Sequence, residues 1–173
     1  GFDYLTLKRY LNFLDKTFIA FSLSPYFKNR RTELVKNPKI YFYDPGLRNS
    51  LIDNFLDFDL RPDKGILVEN FVATALRSFY QDIHFWRTKN KAEVDFVWET
   101  EGKLFSCEVK AGKENNVPSS LVSFIEKYSV QKAFVVNASK GEKKKIGQTA
   151  VDFVPYWQPS IFDYNKLVEG FGR

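Results

Sequence analysis

The stretch that decides the fold runs from residue 93 to residue 110 and reads EVDFVWETEGKLFSCEVK. Apolar and polar residues alternate in both halves, and the turn residues 100–102 separate them, so the stretch predicts the two strands of a hairpin. Side chains along a strand point alternately to opposite faces, which puts Glu108 and Lys110 on one face. The hairpin brings Asp95 of the first strand beside them. We therefore expect one polar cluster on an otherwise apolar hairpin.

The segments around this hairpin have the periodicity of helices and strands. Helix patterns occupy residues 66–80 and 118–128, and strand patterns occupy residues 83–88, 94–99, 103–111, 132–137 and 151–157. The resulting order, α-β-β-β-α-β-β, predicts an α/β domain over residues 65–157 in which helices flank a mixed sheet.

Glu69 is a further candidate, because it interrupts the apolar side of the first of these helices. It lies three residues from Ile66 and three from Val72. Residues at that spacing share one helix face, so we expect the carboxylate to face the sheet and to bond Lys110 or an ion-bound water. The alternative is a glutamate at the margin of the stripe that reaches solvent.

Residues 1–60 have a different pattern, a helix followed by two aromatic strand segments. The pattern predicts a helix up to Phe18, strands at residues 21–27 and 39–43 with a basic turn at 28–32, and a short helix at 47–56. Residues 61–65 predict a linker to the α/β domain, and we expect residues 158–173 to be a C-terminal tail.

Positive charge is concentrated in the first quarter of the chain. The net charge is +5, and residues 1–45 hold eight Lys or Arg against four Asp or Glu, a surplus of four. Basic clusters favour polyanions such as DNA, with a solvated surface as the competing interpretation. We expect nucleic-acid contacts from the basic turn and from the start of the hairpin, that is, from Lys28, Arg30, Arg31, Arg87 and Lys89.

The small number of Cys and His residues excludes a zinc site. Cys107 and His84 are the single residues of their types, which is too few for zinc ligation, and we expect both to be structural. One cysteine favours a reducing compartment, and no apolar run approaches the ~18 residues of a transmembrane helix. We therefore expect a cytoplasmic protein with no membrane partner. The chain begins with Gly and has no Met, which predicts that it is part of a longer polypeptide.

Two carboxylates and a lysine on adjacent strands suit metal-dependent phosphate chemistry. A buried carboxylate needs a compensating charge, and Mg²⁺ prefers oxygen ligands. Held by Asp95 and Glu108, Mg²⁺ (or Mn²⁺ in its place) could activate water against a phosphodiester. Lys110 would assist that water, and Glu69 would support the site through an outer contact.

These residues resemble the PD-(D/E)XK nuclease superfamily, in particular archaeal Holliday-junction resolvases. The resemblance implies a restriction-endonuclease-like fold, metal ligation by Asp95 and Glu108, and catalytic roles for Lys110 and Glu69 as well. Where the superfamily has Pro before the first acid, this chain has Val94, a departure that leaves the chemistry unchanged.

A second resemblance covers most of the chain. Residues 39–49, KIYFYDPGLRN, then residues 65–72, GILVENFV, and residues 85–88, FWRT, are similar to the C-terminal region of prokaryotic AAA+-type ATPases. That region is an uncharacterised domain that follows an ATPase module and a winged helix. The resemblance implies that residues 1–60 are a partial winged helix with the basic ribbon as its wing, and that the partner is an ATPase module of the same polypeptide. No phosphate-binding Gly-rich loop with a Lys occurs in this sequence.

Three functions fit these observations. The first is a DNA-binding nuclease domain that hydrolyses phosphodiesters with Mg²⁺. The second is a catalytically inactive module of the same fold that serves protein interaction or substrate docking. The third is a structural domain that forms a homo-oligomer without affinity for nucleic acid.

Overall fold

Helices and strands account for most of the described chain, which in this computed structural model comprises residues 3–27, 37–139, 141–158, 162 and 163. The helices are α1 (Tyr4–Lys16), α2 (Pro45–Leu51), α3 (Lys64–Phe79) and α4 (Ser119–Lys127), and a 3-10 turn spans Phe58–Leu60. The strands are β1 (Ala20–Pro25), β2 (Lys39–Phe42), β3 (Ile83–Arg87), β4 (Glu93–Thr100), β5 (Lys103–Val109), β6 (Val130–Asn137), β7 (Glu142–Ile146) and β8 (Thr149–Pro155).

The strands form one mixed sheet in the order β2-β1-β3-β4-β5-β6-β8-β7. β3, β4 and β5 are an antiparallel meander, and β5, β6 and β8 are parallel neighbours. The hairpin turn predicted at residues 100–102 forms, and both central residues have positive φ, 50° at Glu101 and 71° at Gly102. Positive φ at both positions is the pattern of the type I′ turns that suit twisted hairpins. The predicted α/β class with a mixed sheet and flanking helices is confirmed.

β1 and β2 are the strands that the sequence assigned to a wing. In the structure they extend the central sheet, because β1 pairs in parallel with β3 through Ser24–His84 and Pro25–Phe85. Phe21 is buried in the core that α3 covers. The physical reason is the apolar face of β1, which is too large to remain on a projecting ribbon.

Helices cover both faces of the sheet and create two cores. On one face α3 packs Val72 and Leu76 against Trp98, and on the other α4 packs Phe124 against Val97. β5 lies between the two cores, so its residues are buried on both sides. The apolar stripe of α3 differs from the prediction at its start, since Ile66 is 59% exposed.

Residues from two segments that the sequence predicted to be a linker and a tail are buried in the structure. Arg61 is buried and donates to Asn49 Oδ1 at 2.9 Å and to Asp63 Oδ2 at 3.0 Å, so the linker is fixed to α2. Phe162, within the predicted tail, is 1% exposed, and its carbonyl oxygen accepts a hydrogen bond from the Tyr80 hydroxyl.

Candidate functional site

A bulge in β4 aims Asp95 at the neighbouring strand. His84 of β3 pairs with Val97 and Trp86 pairs with Val94, so two residues of β4, Asp95 and Phe96, lie opposite one residue of β3. Bulges redirect side chains in this way. The Asp95 carboxylate then accepts a hydrogen bond that a backbone carbonyl would accept in a regular strand pair.

The contact that Asp95 makes with β5 brings the two predicted metal ligands together. Backbone pairing of β4 with β5 begins at Phe96 and Cys107. Before that pair, Asp95 Oδ2 accepts a hydrogen bond from the Val109 backbone N–H at 2.9 Å. Because Val109 follows Glu108 directly, the two acids meet where the strands begin to separate.

Glu108 is the most deeply buried acid of the site, with 5% of its surface exposed. Its Oε1 lies 2.8 Å from Lys110 Nζ, so Glu108 and Lys110 share a side of the sheet as predicted. Its Oε2 is buried and has no hydrogen-bond partner among the described residues. A buried carboxylate oxygen without a partner is costly, and in native proteins it commonly indicates a bound water or ion.

The electrostatics of this pair favour a cation. Burial, together with the charges of Glu108 and Glu69, raises the pKa of Asp95 to about 7. Burial also raises the pKa of Glu108, although the Lys110 ammonium acts in the opposite direction. Two carboxylates in a low-dielectric site repel each other, and a divalent cation would relieve that repulsion.

The residues present fit Mg²⁺. Among the described residues, no group of three or more His, Cys, Asp or Glu could hold a metal ion. However, Mg²⁺ keeps several waters and is commonly held by one or two carboxylates. Asp95 and Glu108, with the unpartnered Oε2, supply such a pair.

A second group of acids, which we call the acidic cluster, consists of Glu69, Glu93 and Asp95 around the ammonium group of Lys39. Lys39 Nζ lies 2.9 Å from Glu69 Oε1, 2.5 Å from Glu93 Oε1 and 3.3 Å from Asp95 Oδ1. Although burial alone would lower the pKa of Lys39, the charges of Asp95 and Glu69 raise it above its usual value. Lys39 therefore remains charged.

The acidic cluster changes the expected role of Glu69. The prediction that Glu69 faces the sheet is correct, but its partners are Lys39 and the Tyr41 hydroxyl, which donates at 2.6 Å. β2 brings both partners. No sequence pattern indicates Lys39, whereas Glu93 could have been included because it lies two residues before Asp95 on the same strand.

The structure describes two of the five residues predicted to contact nucleic acid. Arg87 ion-pairs with Glu93 and lies over the Phe85 ring at 5.3 Å. Lys89 is exposed in the loop between β3 and β4. The basic turn residues Lys28, Arg30 and Arg31 lie outside the described residues.

The two residues predicted to be structural are placed accordingly. His84 Nδ1 lies 3.0 Å from Ser24 Oγ, and its Nε2 lies 3.2 Å from Asp82 Oδ1. Cys107 is buried, and burial raises the pKa of its thiol well above the usual value. No helix in the described ranges is long and apolar enough to cross a bilayer.

Comparison with known proteins relates this chain to uncharacterised relatives. It is 31% identical over 122 residues to "Uncharacterized protein Mb2031c" of Mycobacterium bovis and to "Uncharacterized protein Rv2008c" of Mycobacterium tuberculosis. Each match covers 68% of this chain and 28% of the relative, so the chain spans little more than a quarter of those proteins. No solved structure matches the chain with significance.

Two family models match consecutive parts of the chain. Residues 1–57 match "Domain of unknown function (DUF8612)". Residues 64–158, more than half of the chain, match "Domain of unknown function (DUF4143)" and contain α3, the hairpin and every predicted catalytic residue. The chain therefore belongs to the family described as "Domain of unknown function (DUF4143)".

Proposed function

We propose that this chain is a restriction-endonuclease-like domain that binds DNA and hydrolyses phosphodiesters with Mg²⁺. The observation that carries the proposal is the buried Oε2 of Glu108 beside Asp95, which has no hydrogen-bond partner in the part of the chain that the structure describes. An α/β chain with a stability role alone would have little reason to keep this oxygen unsatisfied in its core. Asp95 and Glu108 would be the metal ligands.

The chain's own residues would divide the chemistry. A Mg²⁺ ion held by this pair would lower the pKa of a bound water and offset charge on the phosphate. Lys110, which is part-exposed and ion-paired with Glu108, would hold the attacking water. In the proposed reaction the water oxygen bonds to phosphorus, the bond from phosphorus to the leaving ester oxygen breaks, and the proton that the water gives up leaves on that ester oxygen. Glu69 would act through Lys39, as a positioning residue.

Exposed lysines beside the candidate site support DNA as the substrate. Lys89 and Lys91, in the loop between β3 and β4, and Lys113, after β5, are exposed at the end of the sheet that carries the site. Phosphate backbones are attracted to such lysines, and the attraction weakens with added salt.

A second candidate function is an inactive docking module of the same fold. The observation that favours it is the Lys39 ammonium, which neutralises Asp95 and two further acids with no metal ion. In that case the relevant partner is the ATPase module that we propose for the same polypeptide. We also propose that residues 1–60 are a partial winged helix whose strands β1 and β2 extend the central sheet.

A cleavage assay tests the proposed function. Duplex, single-stranded and four-way-junction DNA are incubated with the protein and Mg²⁺ or Mn²⁺, with Asp95→Ala as the control. We expect the variant to lose more than the roughly 10–100-fold that outer partners of a metal site contribute. Salt-sensitive DNA binding without cleavage, unchanged in Asp95→Ala, would support the docking module. Absence of DNA binding, with a stable homo-oligomer, would support the structural domain.

A further inference from the structure

Helix α1 is exposed along its whole length, although it contains large apolar side chains. None of its 13 residues is buried by the rest of the described chain. It packs against β1, and near its C-terminal end Asp15 Oδ1 accepts a hydrogen bond from the Tyr43 hydroxyl at 2.7 Å. A helix of this length is marginally stable by itself and gains most of its stability from packing. The outer side of α1 therefore lacks packing partners within one copy of the described chain.

The outer side of α1 combines apolar and basic residues, and we call it the basic face. Two of its apolar side chains are largely exposed, Leu5 at 65% and Phe13 at 61%. Its members recur at the three- and four-residue spacing of one helix face, and all of them are exposed: Leu5, Lys8, Arg9, Asn12, Phe13 and Lys16. The basic face therefore carries three positive charges beside apolar side chains.

A second exposed surface has the opposite charge. It consists of residues 51–60, LIDNFLDFDL, which include three acids and no Lys or Arg, and we call it the 51–60 segment. Asp53, Asp57 and Asp59 are exposed. Its large apolar side chains are between 50% and 71% exposed at five positions, namely Leu51, Ile52, Phe55, Leu56 and Leu60. Single exposed apolar residues are ordinary on a protein surface, whereas a contiguous group of them indicates an interaction site.

Contacts with the rest of the fold hold the 51–60 segment in place. The Phe58 ring lies 6.0 Å from the Tyr156 ring, and Arg61 Nη1 donates to the Asn54 carbonyl oxygen at 2.8 Å. The exposed side chains are thus presented by an ordered backbone. Such order lowers the conformational entropy that is lost when a partner binds.

The basic face and the 51–60 segment complement each other. Protein interfaces combine apolar contact with charges of opposite sign, and both surfaces have the apolar part and one of the two charges. A partner for the basic face has to be apolar and acidic, which are the properties of the 51–60 segment. Both surfaces are exposed in the same copy, so the contact has to join two copies.

We propose that this chain self-associates and that the basic face of one copy packs on the 51–60 segment of a second copy. The apolar side chains supply the contact area, and Lys8 and Arg9 oppose the acids of the partner copy. Both surfaces lie outside the pair of Asp95 and Glu108. The proposal therefore stands whether or not the chain binds metal or cleaves DNA.

Charge reversal on each surface tests this pairing. The first variant carries Lys8→Glu with Arg9→Glu, so that acids oppose acids. The second carries Asp57→Lys with Asp59→Lys, so that cations oppose cations, and a third carries all four changes. All four residues are exposed, and the Asp57 side chain does not cap the 3-10 turn. We therefore expect every variant to keep the circular dichroism spectrum of the wild type.

The matched control is Lys143→Glu with Lys145→Glu on the exposed side of β7. It changes the net charge by the same amount as the first variant but leaves both surfaces intact. Sedimentation velocity over a range of protein concentrations gives the dissociation constant of self-association. Low salt is used because exposed charges are screened at high ionic strength.

We expect the wild type and the control to self-associate with the same dissociation constant. The first and second variants should each associate on the order of tenfold more weakly, because like charges then oppose each other. An equimolar mixture of these two variants, and the third variant alone, should recover the association of the wild type, because opposite charges meet again.

A wild type that stays monomeric would overturn the proposal and leave both surfaces to another protein or to another part of a longer polypeptide. Association that none of the reversals weakens would also overturn it, since the contact would then be non-specific and apolar. So would a mixture of the first and second variants that associates no better than either variant alone.

Cross-linking of the wild type supplies a second readout that needs no substitution. Copies labelled with ¹⁵N are mixed with unlabelled copies, and a carbodiimide joins lysine and carboxylate side chains that are in contact. We expect mass spectrometry to find amide bonds between labelled and unlabelled chains that link Lys8 or Lys16 to acids of the 51–60 segment. Cross-linked oligomers whose bonds join other surfaces would contradict the proposal.

Discussion

An ionised carboxyl group loses its hydration when it is buried, and Glu108 recovers only part of that loss through Lys110. The second oxygen has no partner among the described residues. Asp95 adds a like charge nearby, which raises the cost further. At the scale of single residues, the site therefore opposes stability, as expected where charges are arranged for a ligand rather than for folding.

Glu108→Gln should stabilise the metal-free protein. The amide is neutral, so the change removes a buried charge together with its repulsion of Asp95, and we expect the free energy of unfolding to rise on the order of 1 kcal/mol. Urea unfolding measures this change in the free energy of unfolding. Glu126→Gln, on the exposed side of α4, is the matched control and should leave the free energy unchanged. A Glu108→Gln variant less stable than the wild type would mean that the carboxylate is satisfied.

Asp95 makes stability depend on pH. Its pKa is raised to about 7 in the folded protein, against about 3.9 in an unfolded chain. Between these values the folded state binds more protons, so its extra stability is complete below about pH 4 and is lost as the pH rises through about 7. Asp95→Asn lacks this titrating group. Its free energy of unfolding relative to that of the wild type should therefore increase with pH between about 4 and about 7, by at most about 1.4 kcal/mol per pH unit.

Urea unfolding at several pH values from about 5 to about 8 measures this difference. Parallel pH profiles of the wild type and Asp95→Asn would contradict the assignment of the raised pKa to Asp95.

The sequence predicted Glu69, Asp95, Glu108 and Lys110 as members of the site and missed Lys39 for a physical reason. Alternation along one hairpin relates Asp95, Glu108 and Lys110, because strand geometry fixes neighbours that are close in sequence. Lys39 lies 56 positions before Asp95, and only the pairing of β1 with β3 brings β2 to the site. No local sequence pattern indicates a contact between residues so far apart in the chain.

At the scale of elements, β2 is short and lies at the edge of the sheet, and α3 holds it through side chains that include Asn70 and Thr74. Asn70 makes two hydrogen bonds to the backbone of Phe42. Edge strands have few ladder bonds of their own, so these contacts are a large share of what fixes β2. The position of Lys39 depends on them.

Asn70→Ala should loosen β2 more than the rest of the sheet. The Phe42 amide loses its partner, whereas the Phe42 carbonyl keeps a hydrogen bond from the Thr74 hydroxyl. We therefore expect the free energy of unfolding to fall by about 1 kcal/mol and the Phe42 amide hydrogen to exchange faster. Hydrogen exchange followed by NMR measures the local effect. Ser78→Ala on the same helix is the control, since its hydroxyl bonds only Ala75 of that helix. Equal protection of Phe42 in both variants would exclude the proposed fastening.

The elements were predictable to different degrees. α3, the hairpin and β6 follow from strong periodicity and agree with the structure within a few residues. β7 was missed because its sequence, EKKKI, has no alternating apolar residues. β1 and β2 were predicted as strands but assigned to a separate ribbon, since sequence patterns report a strand's faces and not its neighbours.

At the scale of the whole molecule, the candidate site lies at the end of the sheet where the loop before β4 carries the exposed Lys89 and Lys91. A DNA backbone bound there would release counterions for each lysine contact.

Replacing Lys89 and Lys91 together by Ala should weaken DNA binding and lower the slope of log K against log salt by about two, one for each phosphate contact. Fluorescence anisotropy over a range of salt concentrations measures the slope. Lys103→Ala, at the opposite end of the sheet, is the control and should leave the slope unchanged. Equal slopes for both variants would place the DNA elsewhere.

The most direct test of the account is calorimetric titration of Mn²⁺ into the wild type, Asp95→Asn and Glu108→Gln near pH 8, where Asp95 is ionised. We predict that the wild type binds the ion and that each variant loses this binding while keeping its fold. Binding retained in both variants, or absent from the wild type, would contradict the assignment of a metal site to Asp95 and Glu108.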